Sequence, residues 1–182
     1  MPKGSFTTDI KAIRERARAK MMDGAVTDAY HADRVKVVEV LNEVLATEIV
    51  CHLRYKNHYF MAHGINSQIV AQEFLEHANQ ELQHQDMIAE RITQLGGTPN
   101  FNPEGLHTRS HAEYNESQSL EEMIKQDLVA ERIAIETYSE IVRWLGNDDP
   151  TTRGLMEEIL KVEEEHADDL VTLLQRSDLT LH

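Results

Sequence analysis

The chain has 182 residues, of which 41% are hydrophobic and 27% are charged, and its formal net charge is −14. This length and composition are typical of one globular domain and exclude a disordered or fibrous chain. One cysteine, Cys51, excludes an intrachain disulfide and any metal site built on several cysteines. Because no secretory signal or apolar span is evident, we expect a cytoplasmic protein without membrane contact.

The first 32 residues differ in charge from the rest. Residues 1–20 hold six basic residues against Asp9 and Glu15, a net of +4, so the remaining 162 residues carry −18. Such an acidic body repels nucleic acid and attracts cations, whereas the basic arm 1–20 is either a solvated tail or a tether for DNA phosphates. We therefore predict a basic extension over 1–32, a helical body over 33–176 and a short tail over 177–182.

Four long stretches then follow with the periodicity of amphipathic helices. The first spans 33–63 and stops at Gly64; the second spans 67–95, with Asn66 or Ser67 as its cap and Gly96-Gly97 at its end. The third opens at Ser119 with a Ser119/Glu122 capping box and runs to Leu145, and the fourth runs from Asp149-Pro150 to about residue 175. No strand-like alternation of useful length occurs.

The lengths and connections of these helices predict the fold. Each has roughly 26 to 30 residues and is therefore about 40 Å long. Short turns join the first to the second and the third to the fourth, whereas about 23 residues, with room for a short helix, separate the second from the third. We predict an all-α four-helix bundle with a long crossover between helices two and three.

Each helix carries one glutamate in the middle of its apolar stripe, and two helices add a histidine three positions later. In VEEEHADDL, helical phase sends Glu163 and His166 inward, while Glu164 and Glu165 are turned about 100° and 200° away from Glu163, toward water. The same reading of all four helices selects Glu48, Glu81, His84, Glu131, Glu163 and His166. Glu48 and Glu81 lie 33 residues apart, and Glu131 and Glu163 lie 32 residues apart. Both antiparallel hairpins therefore bring their glutamates to the same level along the bundle axis.

Four buried carboxylates are very costly to keep ionised unless cations neutralise them. A pair of divalent cations does so, and a set of four carboxylates and two imidazoles suits iron or manganese. We therefore predict a two-metal centre held by the six residues. A third Glu-x-x-His, Glu104 to His107, lies in the crossover beside Pro103 and Gly105, and we attribute it to chance.

Other polar residues of the stripes have two readings each. His52 and His77 are packing residues or partners of the ligands. Tyr55, seven residues after Glu48, is a core tyrosine, or it donates to a ligand or supplies an electron. Cys51 is more simply a small core residue than a redox group.

At these residues the sequence resembles the bacterioferritin branch of the ferritin-like superfamily. The stretches NEVLATEIVCHLRY, QELQHQDMIAERITQLGGTPN, DLVAERIA and EILKVEEEHADDL are similar to its four helix motifs. The resemblance covers residues 35–174, approximately. It implies that the six residues form a ferroxidase centre with two iron ions per subunit, in which Glu81 and Glu163 bridge the two ions. It also implies that Tyr55 lies beside one of the ligands. Manganese and zinc are the alternative metals.

The chain also departs from that family. The position of the haem-ligating methionine holds Leu82, so we expect no haem, and Glu76 and Gln80 stand where the family has its inner-surface iron ligands. Little room remains for a full fifth helix. The N-terminal extension and long crossover resemble the Dps family, and the mixture looks like Dps-like proteins with bacterioferritin-type centres, although their cysteine pair is missing here.

This resemblance implies a ferroxidase that oxidises Fe(II) with O2 or H2O2 at an intrasubunit di-iron centre, stores ferric mineral inside a homo-oligomeric shell and protects against oxidative stress. We favour a 12-mer over a 24-mer. Two alternatives remain open at this point: a Dps-type protein that binds and shields DNA through the arm 1–20 with mainly structural metals, and another di-metal enzyme such as a peroxidase or manganese catalase.

Overall fold

A computed structural model of the chain describes residues 8–63 and 67–179, with side chains as far as residue 175. Within those ranges the regular structure is entirely helical. The elements are α1 (Ile10–Ala19), α2 (Arg34–Met61), α3 (Ser67–Gln94), α4 (Leu106–Arg109), α5 (Leu120–Leu145) and α6 (Pro150–Leu179), with a short 3₁₀ turn at Met21–Asp23. The prediction of an all-α bundle of four long helices with a long crossover is confirmed. None of the described helices is long and apolar enough to cross a bilayer.

Side-chain caps explain where the long helices begin. Asp33 accepts from the backbone N–H groups of Val35 and Lys36 at 3.1 and 3.2 Å at the start of α2, and Ser119 accepts from Glu122 N at 3.2 Å at the start of α5. Each cap satisfies a backbone donor that has no partner within its helix. The predicted stop at Gly64 and cap at Asn66 lie outside the described residues.

The end of α3 shows why two glycines follow it. Gly96 has φ +75°, a left-handed conformation that favours glycine, and Gly97 N donates to Ile92 O at 2.9 Å. A Cβ on Gly97 would lie 2.6 Å from Cγ1 of Val38 on α2. The turn therefore ends α3 and lets the crossover leave close against α2.

The bundle consists of two helix hairpins, with α2 packed mainly on α3 and α5 mainly on α6. Asp149 ties the hairpins together, because it caps α6 through Thr152 N at 2.9 Å and accepts from Arg91 of α3 at 2.9 Å. The two larger apolar clusters of the interior lie around Leu41, Ile92 and Met156 and around Phe74 and Leu170. The polar residues described below lie between these clusters.

The structure adds details in the basic arm, in the crossover and at the end of the last helix. In the basic arm, residues Ile10–Ala19 form α1, capped by Asp9 through Ala12 N at 3.0 Å, although no residue of α1 is buried. The crossover contains the four-residue α4. The last helix continues to Leu179, beyond the predicted end near residue 175, since no glycine or proline interrupts it there.

Candidate metal centre

The structure brings the six predicted ligands together in the middle of the bundle. Glu48 comes from α2, Glu131 from α5, and the two Glu-x-x-His pairs come from α3 and α6. All six are at most 4% exposed: Glu48, Glu81, His84, Glu131, Glu163 and His166. Glu164 and Glu165 are exposed, as helical phase predicts. The ligand role of the six residues stays a prediction, but their convergence is a feature of the fold.

The six side chains form two overlapping groups with Glu81 and Glu163 in both. Glu48 and His84 complete one group, Glu131 and His166 the other, and in each group the candidate ligand atoms lie within 4.8 Å of one another. Since a carboxylate has two oxygens, each shared glutamate is able to serve both positions. The arrangement would therefore allow two cations to be joined by two bridging carboxylates.

Several buried atoms of the centre have no hydrogen-bond partner among the described residues. They are Glu81 Oε1, both carboxylate oxygens of Glu163, and His166 Nδ1. Buried polar atoms are costly when nothing satisfies them. The unpartnered atoms belong to the two shared glutamates and to a candidate imidazole ligand, so the donor set fits a pair of cations.

Both imidazoles present Nδ1 to the carboxylates. His84 Nδ1 lies 3.0 Å from Glu48 Oε2 and 3.0 Å from Glu163 Oε1, and His166 Nδ1 lies 3.2 Å from Glu163 Oε2. On the far side of its ring, His166 Nε2 donates to Gln80 Oε1 at 2.8 Å. A hydrogen bond there orients the ring and leaves Nδ1 available for a metal once the ring is neutral. Gln80 is therefore a positioning residue.

Two tyrosines donate to the two unshared carboxylates. Tyr55 of α2 donates to Glu131 of α5, and Tyr138 of α5 donates to Glu48 of α2. The sequence did not single out Tyr138. The signal that identifies it is spacing, because Tyr138 follows Glu131 by seven residues as Tyr55 follows Glu48, so each helix supplies a glutamate and the donor for the opposite one.

The protonation of the metal-free centre is uneven. Burial raises the pKa of Glu163 to about 7 and that of Glu81 well above its usual range, and the charges of neighbouring glutamates add to both shifts. Burial acts on Glu131 in the same direction, but the nearby charge of His166, with Nδ1 3.8 Å from Glu131 Oε1, and the hydrogen bond from Tyr55 outweigh it and lower its pKa to about 2. The two outer carboxylates, Glu48 and Glu131, have lowered pKa values and are thus ionised at pH 7, whereas Glu81 holds a proton and Glu163 is about half protonated. A cation must displace these protons.

The carboxylates of the centre also change the pKa values of the two histidines, and they favour the protonated form of each ring. Burial opposes their charge, but the surrounding carboxylates raise the pKa of His166 to about 10 and raise that of His84 strongly. Both rings are therefore protonated in the metal-free protein at neutral pH. The centre holds together without metal because two imidazolium groups and the shared protons offset the charge of four carboxylates.

The other residues singled out in the sequence are half-buried, buried or exposed. His52 is half-buried, and its Nδ1 lies 2.7 Å from the carbonyl oxygen of Ala78. Cys51 is buried, and burial raises the pKa of its thiol. Leu82 is 46% exposed on α3. His77 is buried against the centre, with its ring stacked on His166 at a centroid distance of 4.0 Å.

A buried ionic cluster that the sequence did not predict lies beside the centre. Arg54 Nε donates to Asp127 Oδ1 at 2.7 Å, and His58 Nδ1 lies 2.8 Å from Asp127 Oδ2. Arg54 is 1% exposed and also donates to the carbonyl oxygen of Glu113 in the crossover at 2.8 Å. The cluster joins α2, α5 and the crossover. Lone polar residues in a stripe do not reveal their partner on another helix.

Comparison with known proteins places this arrangement in a family. The model of the Ferritin-like domain family matches residues 38–180. A nutrient stress-induced DNA-binding protein of Nostoc sp. is 31% identical over 148 residues, covering 80% of each chain, and a bacterioferritin of Desulfovibrio desulfuricans is 28% identical over 134 residues, covering 73% of this chain and 71% of that one. Among solved structures, the dodecameric thioferritin of Bacteroides fragilis, a bacterioferritin-related protein, is 26% identical, with a TM-score of 0.77 over 93% of this chain and 98% of that chain.

Proposed function

This chain belongs to the ferritin-like family, and we propose that it oxidises Fe(II) at the centre described above and stores the ferric product. The observation that carries the proposal is the sharing of Glu81 and Glu163 by two groups of ligand atoms. Two cations bridged in this way are close enough to react with one oxidant molecule together. Similarity to bacterioferritins supports iron as the substrate.

The residues of the centre have distinct roles in this proposal. Glu81 and Glu163 bridge the two Fe(II) ions, Glu48 with His84 and Glu131 with His166 complete the two sites, and Tyr55 and Tyr138 hold the outer carboxylates in place. Two adjacent Fe(II) ions supply two electrons, which reduce H2O2 to water or O2 to H2O2. Because both electrons leave together, no hydroxyl radical is released, which is the protective benefit. The two protons that either reduction consumes come from solvent, because the shared carboxylates are deprotonated while they hold the metals.

Storage requires a hollow assembly, and we propose a homo-oligomeric shell of twelve subunits. The likeness to a dodecameric bacterioferritin-related protein over 93% of this chain supports twelve over twenty-four. Native mass measurement distinguishes the two, since a chain of 20.9 kDa predicts about 250 kDa or about 500 kDa. A monomer or dimer at working concentration would contradict storage inside a shell.

The decisive test of iron oxidation uses one pair of neighbouring carboxylates. Glu163 is buried in the centre, whereas Glu164 is exposed on the same helix. Metal-free protein is mixed with Fe(II) and then with H2O2 or O2, and ferric absorbance is followed by stopped flow. We expect Glu163→Gln to slow oxidation roughly tenfold or more and Glu164→Gln to leave it unchanged. Equal rates for wild type and Glu163→Gln would refute the assignment.

A second candidate function is DNA binding through the basic arm. Its specific support is α1, whose basic side chains Lys11, Arg14 and Arg18 are exposed, together with the similarity to the DNA-binding protein of Nostoc sp.. Arg16 and Lys20 are partly neutralised, since both lie against Asp28. The acidic body opposes binding, so any affinity depends on salt.

A gel shift at low salt tests this second candidate. We expect Arg14→Ala/Arg18→Ala to weaken a DNA complex, while Arg132→Ala/Arg143→Ala, which removes the same charge from exposed positions on the bundle, has little effect. If wild type does not retard DNA, or if both double variants retard it like wild type, the arm is not a DNA contact.

A further inference from the structure

A second cluster of metal-ligating side chains lies beside the centre, on the side where α3 faces α6. Its buried member is His77, which is 1% exposed, and neither of its ring nitrogens has a hydrogen-bond partner among the described residues. A buried imidazole without a partner is costly, because its polar nitrogens have lost water and gained nothing in exchange. The burial of His77 therefore indicates that its ring nitrogens serve a ligand.

Two carboxylates from different helices face His77 Nε2. Glu73 Oε1, one helical turn earlier on α3, lies 3.4 Å away, and Asp169 Oδ2 on α6 lies 3.8 Å away. One atom from each of the three residues falls within 4.8 Å of the others. The side chains of Glu73 and Asp169 are 29% and 54% exposed, so the cluster is buried at the imidazole and open to water at its carboxylates.

These distances suit a small cation. Nitrogen and oxygen ligands at about 2.1 Å in tetrahedral or octahedral geometry lie about 3.0–3.4 Å from one another. The 3.4 Å separation of Glu73 meets this, and the 3.8 Å separation of Asp169 requires a small inward movement of its exposed side chain. One imidazole and two carboxylates are ligands for first-row divalent ions such as Fe(II), Mn(II), Co(II) and Zn(II). Open coordination positions on the exposed side are left to water.

We propose that Glu73, His77 and Asp169 form a third divalent-cation site, separate from the two positions of the bridged centre. None of its residues is among the six ligands of that centre, and its ion reaches solvent on the side of the exposed Asp169. The ring of His77 stacks on that of His166, with the centroids 4.0 Å apart, so the third ion lies next to the centre. Its exposure makes it the most readily exchanged of the three.

The site is tested by metal binding alone, without iron oxidation. Metal-free full-length protein is equilibrated with Co(II), and bound metal is counted by dialysis and located by anomalous diffraction. We expect about three Co(II) per chain in wild type and about two in Asp169→Asn, with anomalous density lost only between α3 and α6. Asp168→Asn, the same charge change at the adjacent exposed position, should keep all three.

Two further variants separate loss of the third site from misfolding and from failure of the ferroxidase proposal. His77→Asn removes the buried ligand and should lose the same density, provided that circular dichroism shows an intact bundle. Glu163→Gln weakens the bridged centre and should leave the third ion in place, so failure of the ferroxidase proposal does not remove this one. Wild type that binds no ion between Glu73 and Asp169, or Asp169→Asn that retains it, would overturn the site.

Discussion

The uneven protonation of the centre predicts opposite effects of two similar substitutions in the metal-free protein. Glu131 accepts a hydrogen bond from Tyr55 and has its pKa lowered to about 2, whereas Glu81 has Oε1 unpartnered and its pKa raised. Glutamine replaces each carboxylate by a neutral group of the same shape. We expect Glu131→Gln to destabilise the metal-free protein and Glu81→Gln to leave it as stable as wild type or more stable.

The size of the Glu131 effect follows from linkage. A pKa of about 2 in the folded chain against the usual 4.5 corresponds to at most about 3 kcal/mol of stability at neutral pH, or roughly 6–12 °C in Tm for a chain of this length. That stability is present above pH 4.5 and is lost as the pH falls toward 2. For Glu81 the sign is reversed, since a raised carboxyl pKa costs stability above the unfolded value.

The assay is urea and thermal unfolding of chelator-treated protein, with and without excess Zn(II). At 100 times its dissociation constant, a bound ion adds about 2.7 kcal/mol per site, so wild type should gain strongly. Glu81→Gln should lose most of that gain, because Glu81 belongs to both ligand groups. If Glu81→Gln destabilises the metal-free protein as much as Glu131→Gln does, the assignment of charge within the centre is wrong.

Three further predictions concern the tyrosine donor, the buried ion pair and the protons of the centre. Tyr138→Phe removes the donor to Glu48 and should cost the metal-free protein about 1.5–3 kcal/mol in urea unfolding, while Tyr59→Phe, at a half-buried tyrosine on α2, should change little. Asp127→Asn leaves the buried Arg54 guanidinium without its counter-charge and should cost about 3–5 kcal/mol in thermal unfolding. Loading two Zn(II) at pH 7 should release between three and four protons per chain, from Glu81, His84, His166 and part of Glu163, measured by calorimetry in buffers of different ionisation enthalpy. The affinity should weaken as the pH is lowered.

Each of these has an outcome that contradicts it. Equal losses in Tyr138→Phe and Tyr59→Phe would mean that the hydroxyl bond to Glu48 adds nothing. Unchanged stability of Asp127→Asn would mean that Arg54 is neutralised by another group. Zinc binding without proton release would mean that the imidazoles and shared carboxylates are already deprotonated in the metal-free protein.

The helices and the residues that interrupt them were accessible from the sequence. Glycines, caps and apolar periodicity marked the long helices to within a few residues, because each of these signals acts within one or two helical turns. Phase within a single helix also separated the buried Glu163 from the exposed Glu164 and Glu165. Matched spacing of glutamates in the two hairpins predicted that the selected residues meet.

The contacts between helices were not accessible in the same way. The sequence did not single out Tyr138, Arg54 or Asp127, and it gave His77 no defined partner. Their partners lie 90 residues away for Tyr138, 73 residues away for Arg54, and on another helix for His77 and Asp169. Helix α1 was also missed, since its charged sequence has few apolar residues to indicate burial.

The sequence by itself therefore determined which side chains point into the bundle, and it predicted a two-metal centre from their types. Only the tertiary structure decided which atoms of those side chains face one another. It placed Glu81 and Glu163, which the family resemblance implied as bridges, in both groups of ligand atoms. It also showed that Tyr138 as well as Tyr55 donates to an outer carboxylate, and that His77 faces two carboxylates beside the centre. The physical reason is that the direction in which a side chain points from its helix axis follows from the period of 3.6 residues per turn. Distance between helices depends on how their side chains pack.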